Sequence, residues 1–293
     1  VSDRRRLREL LSGDEVLIVP GVTSVLHALL AERAGMPAVF TTGAGIANAD
    51  FGLPDLGLTT MTEVVLANDR ISRAVSLPVI ADADTGYGNH LNVMRTVEEL
   101  ERAGVAAIVL EDQVAPKKCG HFSGKAIVST EEMVQKLVAA RRARKDEDLV
   151  LVARTDAIAV GGVEEAIARA QAYVRAGADV IFVEAPRTVE ELAEIPRRID
   201  APLLVNMVEG GATPLRDARE LGEMGYRIVL YANLAMRTGA WAVDQAFRGL
   251  LEDGSSGRSL DRMLTWEERQ GLVGLDDWRD LEADIDAEAR TLL

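Results

Sequence analysis

The chain has 293 residues, 48% of them hydrophobic and 27% charged, with a formal charge of −14 and a single cysteine. This composition excludes a disordered chain and supports a substantial buried core. The acidic balance speaks against nonspecific nucleic-acid binding, and one cysteine excludes an intramolecular disulfide framework.

The opening "VSDRRRLRELLSGDE" is basic but carries no apolar stretch long enough for a signal peptide, and no later segment has the length of a membrane span. A cytoplasmic location with no membrane partner is expected. Short apolar runs bounded by turn residues then recur along the chain: "VLIVPG" from Val16, "AVFTTGAG" from Ala38, "VIADADTG" from Val79 and "AAIVLEDQ" from Ala106. They continue with "LVLVARTDA" from Leu149, "DVIFVEAP" from Asp179, "PLLVNMVEG" from Pro202 and "RIVLYAN" from Arg227. Amphipathic stretches of helical length separate them, among them one from Thr130, with Ser129 and Thr130 as candidate caps, and one from Gly162 that Gly177 ends. Alternating strands and helices predict a (β/α)8 barrel, an α/β fold, over about residues 10 to 250. A doubly wound open sheet explains the strand count less well.

From Gly254 a Gly/Ser linker leads into a tail with apolar residues at helical spacing. The expected organisation is a catalytic barrel over residues 1–253 and a helical extension over 254–293, docked on its own barrel or on a neighbouring subunit.

In such a barrel the chemistry gathers at the carboxyl ends of the strands. Side chains alternate along a strand, so one face can be followed to its end. The face of Ile80 ends in Asp82 and Asp84, that of Val109 in Glu111, that of Val152 in Arg154, that of Phe182 in Glu184 and that of Leu204 in Asn206. One such residue is explained by a helix cap or by solvent, whereas five strands ending alike point to one convergent site. Asp82, Asp84 and Glu111 are hard oxygen donors suited to Mg²⁺ or Mn²⁺. Arg154 is then the natural clamp for a substrate carboxylate, with Asn206 orienting it. The amides of Gly43 and Ala44, after the second strand, are candidates to receive a carboxylate as well.

The segment "LEDQVAPKKCGHFSGK" places Cys119 among Lys117, Lys118 and His121. Cationic neighbours favour a thiolate, so this thiol suits proton exchange near neutral pH. Gly120 and Gly124 suit a lid. A metal, an arginine clamp and a thiol acid together indicate chemistry beside a carboxylate, on a 2-oxo or 2-hydroxy acid whose oxyanion the metal stabilises.

In order and spacing, "DADTGYGN", "EDQ", "KKCGH", "ARTDA" and "NMVEGG" resemble the isocitrate lyase and phosphoenolpyruvate mutase superfamily. The KKCGH segment resembles its carbon–carbon lyase branch, with methylisocitrate and dimethylmalate lyases, and also carboxyphosphonoenolpyruvate mutase. The resemblance implies magnesium at Asp82, Asp84 and Glu111, and contacts from Thr42, Gly43, Ala44, Arg154 and Asn206 to the pyruvate-like part of the substrate. It implies Cys119 as general acid, with Asp55, Lys117, His121 and Glu184 in the catalytic set and Arg237 at a substrate-binding position. It also implies a homotetramer that exchanges its terminal helix. The chain departs from methylisocitrate lyases at Phe40, where they have tyrosine, and from many of the lyases at Ala232, where they have proline. The function expected is cleavage of a 2-alkylmalate or methylisocitrate-type acid to pyruvate and a second acid, the alternatives being phosphorus–carbon chemistry and a non-catalytic barrel.

Overall fold

A computed structural model describes residues 2–118, 120 and 124–292. Eight parallel strands close into a barrel in chain order: β1 (Leu17–Val22), β2 (Val39–Thr41), β3 (Val79–Asp82), β4 (Ala107–Glu111), β5 (Val150–Thr155), β6 (Val180–Val183), β7 (Leu203–Asn206) and β8 (Ile228–Tyr231). The closing pair is β1 with β8, in register from Leu17 and Ile228 to Pro20 and Tyr231. The expected (β/α)8 architecture is therefore the observed one, and the open sheet is excluded.

Period-two alternation sorts the strand residues into two buried layers. Leu17, Val19, Phe40, Ile80, Val109, Val152, Phe182, Leu204 and Leu230 fill the barrel interior. Their neighbours Val39, Ala81, Ile108, Leu151, Ile181, Val205 and Val229 pack outward under the helices. Helix α1 (Asp3–Ser12) joins the inner layer through Leu7 and Leu11. Its Arg4 and Arg8 donate to the carbonyls of Val105 and Leu149, just before β4 and β5, so the helix covers the amino-terminal end. The carboxyl end is left for chemistry.

The outer helices are α2 (Val25–Arg33), α3 (Gly43–Phe51), α4 (Met61–Ala74), α5 (His90–Arg102), α6 (Thr130–Ala143), α7 (Ile158–Ala176), α8 (Val189–Arg198) and α9 (Ala218–Met224), and α10 (Leu234–Asp253) follows β8 in the chain. Helix α6 is capped by Ser129, whose side chain accepts from the Glu132 amide, and α7 ends on Gly177 in the left-handed region. The helix expected to begin at Gly162 begins earlier, at Ile158. Gly162, at φ 81°, is a break inside it. The stretch after β2 holds α3, capped by Thr42. Beyond α10 lie α11 (Trp266–Leu272) and α12 (Leu275–Leu292). The chain forms two compact units, Val1–Arg237 and Thr238–Leu293. Among the described residues no helix is long and apolar enough to cross a membrane.

Candidate active site

The inward face of β3 delivers Asp82, and the turn beyond it delivers Asp84. Asp82 accepts from the Gly43 amide (3.1 Å) through Oδ2 and from the Asp84 amide (3.2 Å) through Oδ1. Asp84 has φ 46°, a conformation that costs a non-glycine residue energy and recurs at functional sites. Its carbonyl accepts from the Glu111 amide (2.9 Å), which ties the strained turn to β4. Space is tight here: a Cβ on Gly43 would stand 3.0 Å from Asp82 Oδ2 and 3.3 Å from Asp84 Oδ1. Both carboxylates therefore face the start of α3.

Lys117 reaches into this corner. Its Nζ lies 3.0 Å from Asp84 Oδ1 and donates to Asp55 Oδ1. Burial pushes the Asp84 carboxyl up to about 6, against the pull of the Lys117 ammonium. Burial acts on Lys117 in the opposite sense, but Asp84, Asp82, Glu111 and Asp55 together outweigh it and hold the ammonium charged.

Arg154 is enclosed by acids. Asp156 grips one edge of its guanidinium, taking Nε (2.9 Å) and Nη2 (3.1 Å). Nη1 lies 3.2 Å from Glu111 Oε2 and Nη2 lies 3.5 Å from Glu184 Oε2. The plane lies over the Phe182 ring, 5.2 Å from its centre. The fork expected to clamp a substrate carboxylate is thus already engaged by protein carboxylates. Burial drives the Glu111 carboxyl well above its usual range, Arg154 opposing it. Among the described residues Glu111 Oε1 and Asn206 Oδ1 have no hydrogen-bond partner.

Thr42, Ala44, Asp55, Asp82, Lys117, Gly120, Arg154, Glu184 and Asn206 are among the residues that line a cavity here. Phe40, Phe182, Leu230 and Ala232 add apolar surface to the lining. Asp84 and Glu111 join the cluster from behind, and Gly43 orients Asp82. Arg237 stands apart from the lining, its side chain 55% exposed, and donates to the Glu209 carbonyl (2.7 Å). Cys119 and His121 lie outside the described residues.

Among the described residues no group of three or more His, Cys, Asp or Glu side chains is arranged to hold a metal ion, Lys117 standing between Asp55 and Asp84. The donor chemistry nevertheless fits a hard divalent cation. Asp82 and Asp84 share one side of the Gly43 amide, and Glu111 offers a buried carboxylate oxygen that nothing described satisfies.

The sequence reading did not single out Asp156, Lys125 and Asn233. Asp156 lies two residues beyond Arg154 on the same face, so the alternation that found Arg154 extends to it. Asn233 follows β8 in the lining. Lys125 had no periodic signal.

A family model described as phosphoenolpyruvate phosphomutase matches residues 7–251. The chain is 46% identical to 2-methylisocitrate lyase of Aeropyrum pernix, over 98% of this chain and 92% of that one. It is also 46% identical to 2,3-dimethylmalate lyase of Eubacterium barkeri, over 94% and 96%. A crystal structure of 2,3-dimethylmalate lyase superposes with a TM-score of 0.91 at 40% identity, covering 97% of this chain and 96% of that one. A phosphonopyruvate hydrolase structure complexed with oxalate and Mg²⁺ superposes with a TM-score of 0.86 at 32% identity, covering 97% and 99%.

Proposed function

The chain belongs to the phosphoenolpyruvate mutase and isocitrate lyase family, and we propose that it is a magnesium-dependent carbon–carbon lyase that cleaves a 2-alkylmalate or methylisocitrate-type acid to pyruvate and a second carboxylic acid. The observation that carries this reading is the meeting of Asp82, Glu111 and Arg154 from the consecutive strands β3, β4 and β5, with Asp84 from the turn after β3, at one end of the barrel.

Asp82, Asp84 and Glu111 would hold the magnesium ion, which when bound supplies positive charge to stabilise a developing oxyanion. Arg154 and Asn206, with Thr42, Gly43 and Ala44, receive the oxo-acid half of the substrate. The 2-hydroxyl proton passes to a base, either Asp55 or a glutamate acting through water. The C2–C3 bond then breaks, leaving pyruvate and the enediolate of the second acid. The Cys119 thiol gives its proton to the enediolate carbon, with His121 two residues further on in the sequence. Lys117 fixes Asp55 against Asp84. The apolar surface of Phe40, Leu230 and Ala232 faces the alkyl part. A 2-alkylmalate series assayed for pyruvate release tests the reading.

A second reading is favoured by the likeness to phosphonopyruvate hydrolase: phosphorus–carbon chemistry on a 2-oxo acid, as a phosphonomutase of the carboxyphosphonoenolpyruvate type or a related enzyme. Fold does not separate the two. A phosphorus NMR screen of phosphonopyruvate turnover does.

Further copies of the chain are the partners proposed, as a homotetramer in the cytoplasm. The unit Thr238–Leu293 supports association, because Trp241, Phe247, Trp266 and Trp278 are each more than half exposed. Exchange of the terminal helices between subunits would cover them.

A further inference from the structure

Behind Arg154 lies a second buried cation. The Lys125 side chain is 1% exposed, and its Nζ donates to Asp156 Oδ1 (2.7 Å) and to the Gly120 carbonyl. Asp156, 0% exposed, presents both oxygens to the Nε/Nη2 edge of Arg154. Its own amide is fixed by Asp112 Oδ1 (2.9 Å), and Thr155 Oγ1 donates to Asp112 Oδ2 (2.7 Å). Gly120 sits directly on this arginine, since a Cβ there would stand 2.6 Å from Arg154 Nη2 and 2.8 Å from Glu184.

We infer that Lys125 and Asp156 are positioning residues that set the Arg154 guanidinium and the Gly120 backbone against each other. Neither lines the cavity, so both act through residues that do. With Asp156 gripping one edge, Nη1 is the end directed to Glu111 and the substrate. Without the ammonium, Asp156 loses a buried counter-charge and Gly120 loses its tie to the strand carrying Arg154. Buried ion pairs contribute little net stability and are most useful for fixing one geometry. Here the geometry spans the arginine and the segment next to Cys119.

The inference rests on the proposed binding of a substrate carboxylate by Arg154, so its test carries a readout independent of the substrate. The Lys125→Met and Lys125→Arg proteins, full length and with Mg²⁺, are compared with wild type in kcat, KM and calorimetric binding of oxalate, well below their unfolding temperatures. Lys125→Met is expected to lose about 100-fold in kcat/KM and roughly tenfold in oxalate affinity, the scale of a small displacement of a binding group. Lys125→Arg, which can still bridge Asp156 and Gly120, is expected to recover most of both. A Lys125→Met protein that melts earlier but keeps wild-type oxalate affinity and KM would overturn the inference, and so would a Lys125→Arg protein as impaired as the methionine variant. If wild type binds oxalate but releases no pyruvate, the lyase reading fails while the oxalate comparison still decides the role of Lys125.

Discussion

Lys117 Nζ lies 3.0 Å from Asp84 Oδ1 while it also holds Asp55, so one ammonium links the turn after β3 to the connection between α3 and α4. It lowers the negative charge that a divalent cation would otherwise meet. Lys117→Met should therefore bind Mg²⁺ at least as tightly as wild type in calorimetry. Its turnover should nevertheless fall by about 100-fold or more, because Asp55 is no longer placed. Weaker Mg²⁺ binding would show that the ammonium does not oppose the ion.

Asp82 and Asp84 both face the start of α3, with Glu111 on the neighbouring strand, and a cation that binds only to the folded chain there stabilises it. At 100 times its Kd, Mg²⁺ should add about 2.7 kcal/mol over protein in EDTA, read as a rise in Tm. Asp84→Asn should lose most of that rise. Equal rises in both proteins would remove Asp84 from the ligand set.

Much of this site was legible in the sequence because a strand alternates with period two. Counting along "LVLVAR" and "VIADAD" was enough to put Arg154 and Asp82 on the inward faces where they stand. Asp156 lay two residues further along the same face and belonged to the same count. Helix α3 was harder to see, since "GAGIANADF" has the glycines of a loop; its signal was Thr42 as a cap. The engagement of Arg154 by three acids was not legible at all, because it depends on distances between strands. Nor was Lys125, which comes from a loop with no period to follow.

Arg154 neutralises Asp156, Glu111 and Glu184 in a buried setting. Burial alone would lower its own affinity for the proton, and those three carboxylates reverse the effect. Arg154→Met leaves the acids uncompensated and should cost about 3–5 kcal/mol in denaturant unfolding. A loss below about 1 kcal/mol would mean that the acids are relieved by protonation or water.

His27 is half-buried, with Nδ1 3.1 Å from Thr23 Oγ1, and burial lowers its pKa below the usual 6.5. The neutral ring is thus favoured in the folded state, and below about pH 6.5 the unfolded chain binds more protons. The stability this contributes is present above that pH and is lost as pH falls through the folded value. His27→Gln should flatten the decline in unfolding free energy between about pH 7 and pH 5. An unchanged slope would assign the decline to other groups.

Trp241, Phe247, Trp266 and Trp278 are expected to be covered by further copies of the chain. Phe247→Glu combined with Trp278→Glu should shift sedimentation velocity from a tetramer to smaller species, because buried charge opposes association. A tetramer in both proteins would place the contact elsewhere.

The central claim is tested most directly by pyruvate release from 2-methylisocitrate, 2,3-dimethylmalate and related 2-alkylmalates, with Mg²⁺ and with EDTA, in wild type and Cys119→Ser. The account predicts magnesium-dependent pyruvate from at least one of these acids, lost by several orders of magnitude in the serine variant. No pyruvate from any of them, or full activity in EDTA, would contradict it.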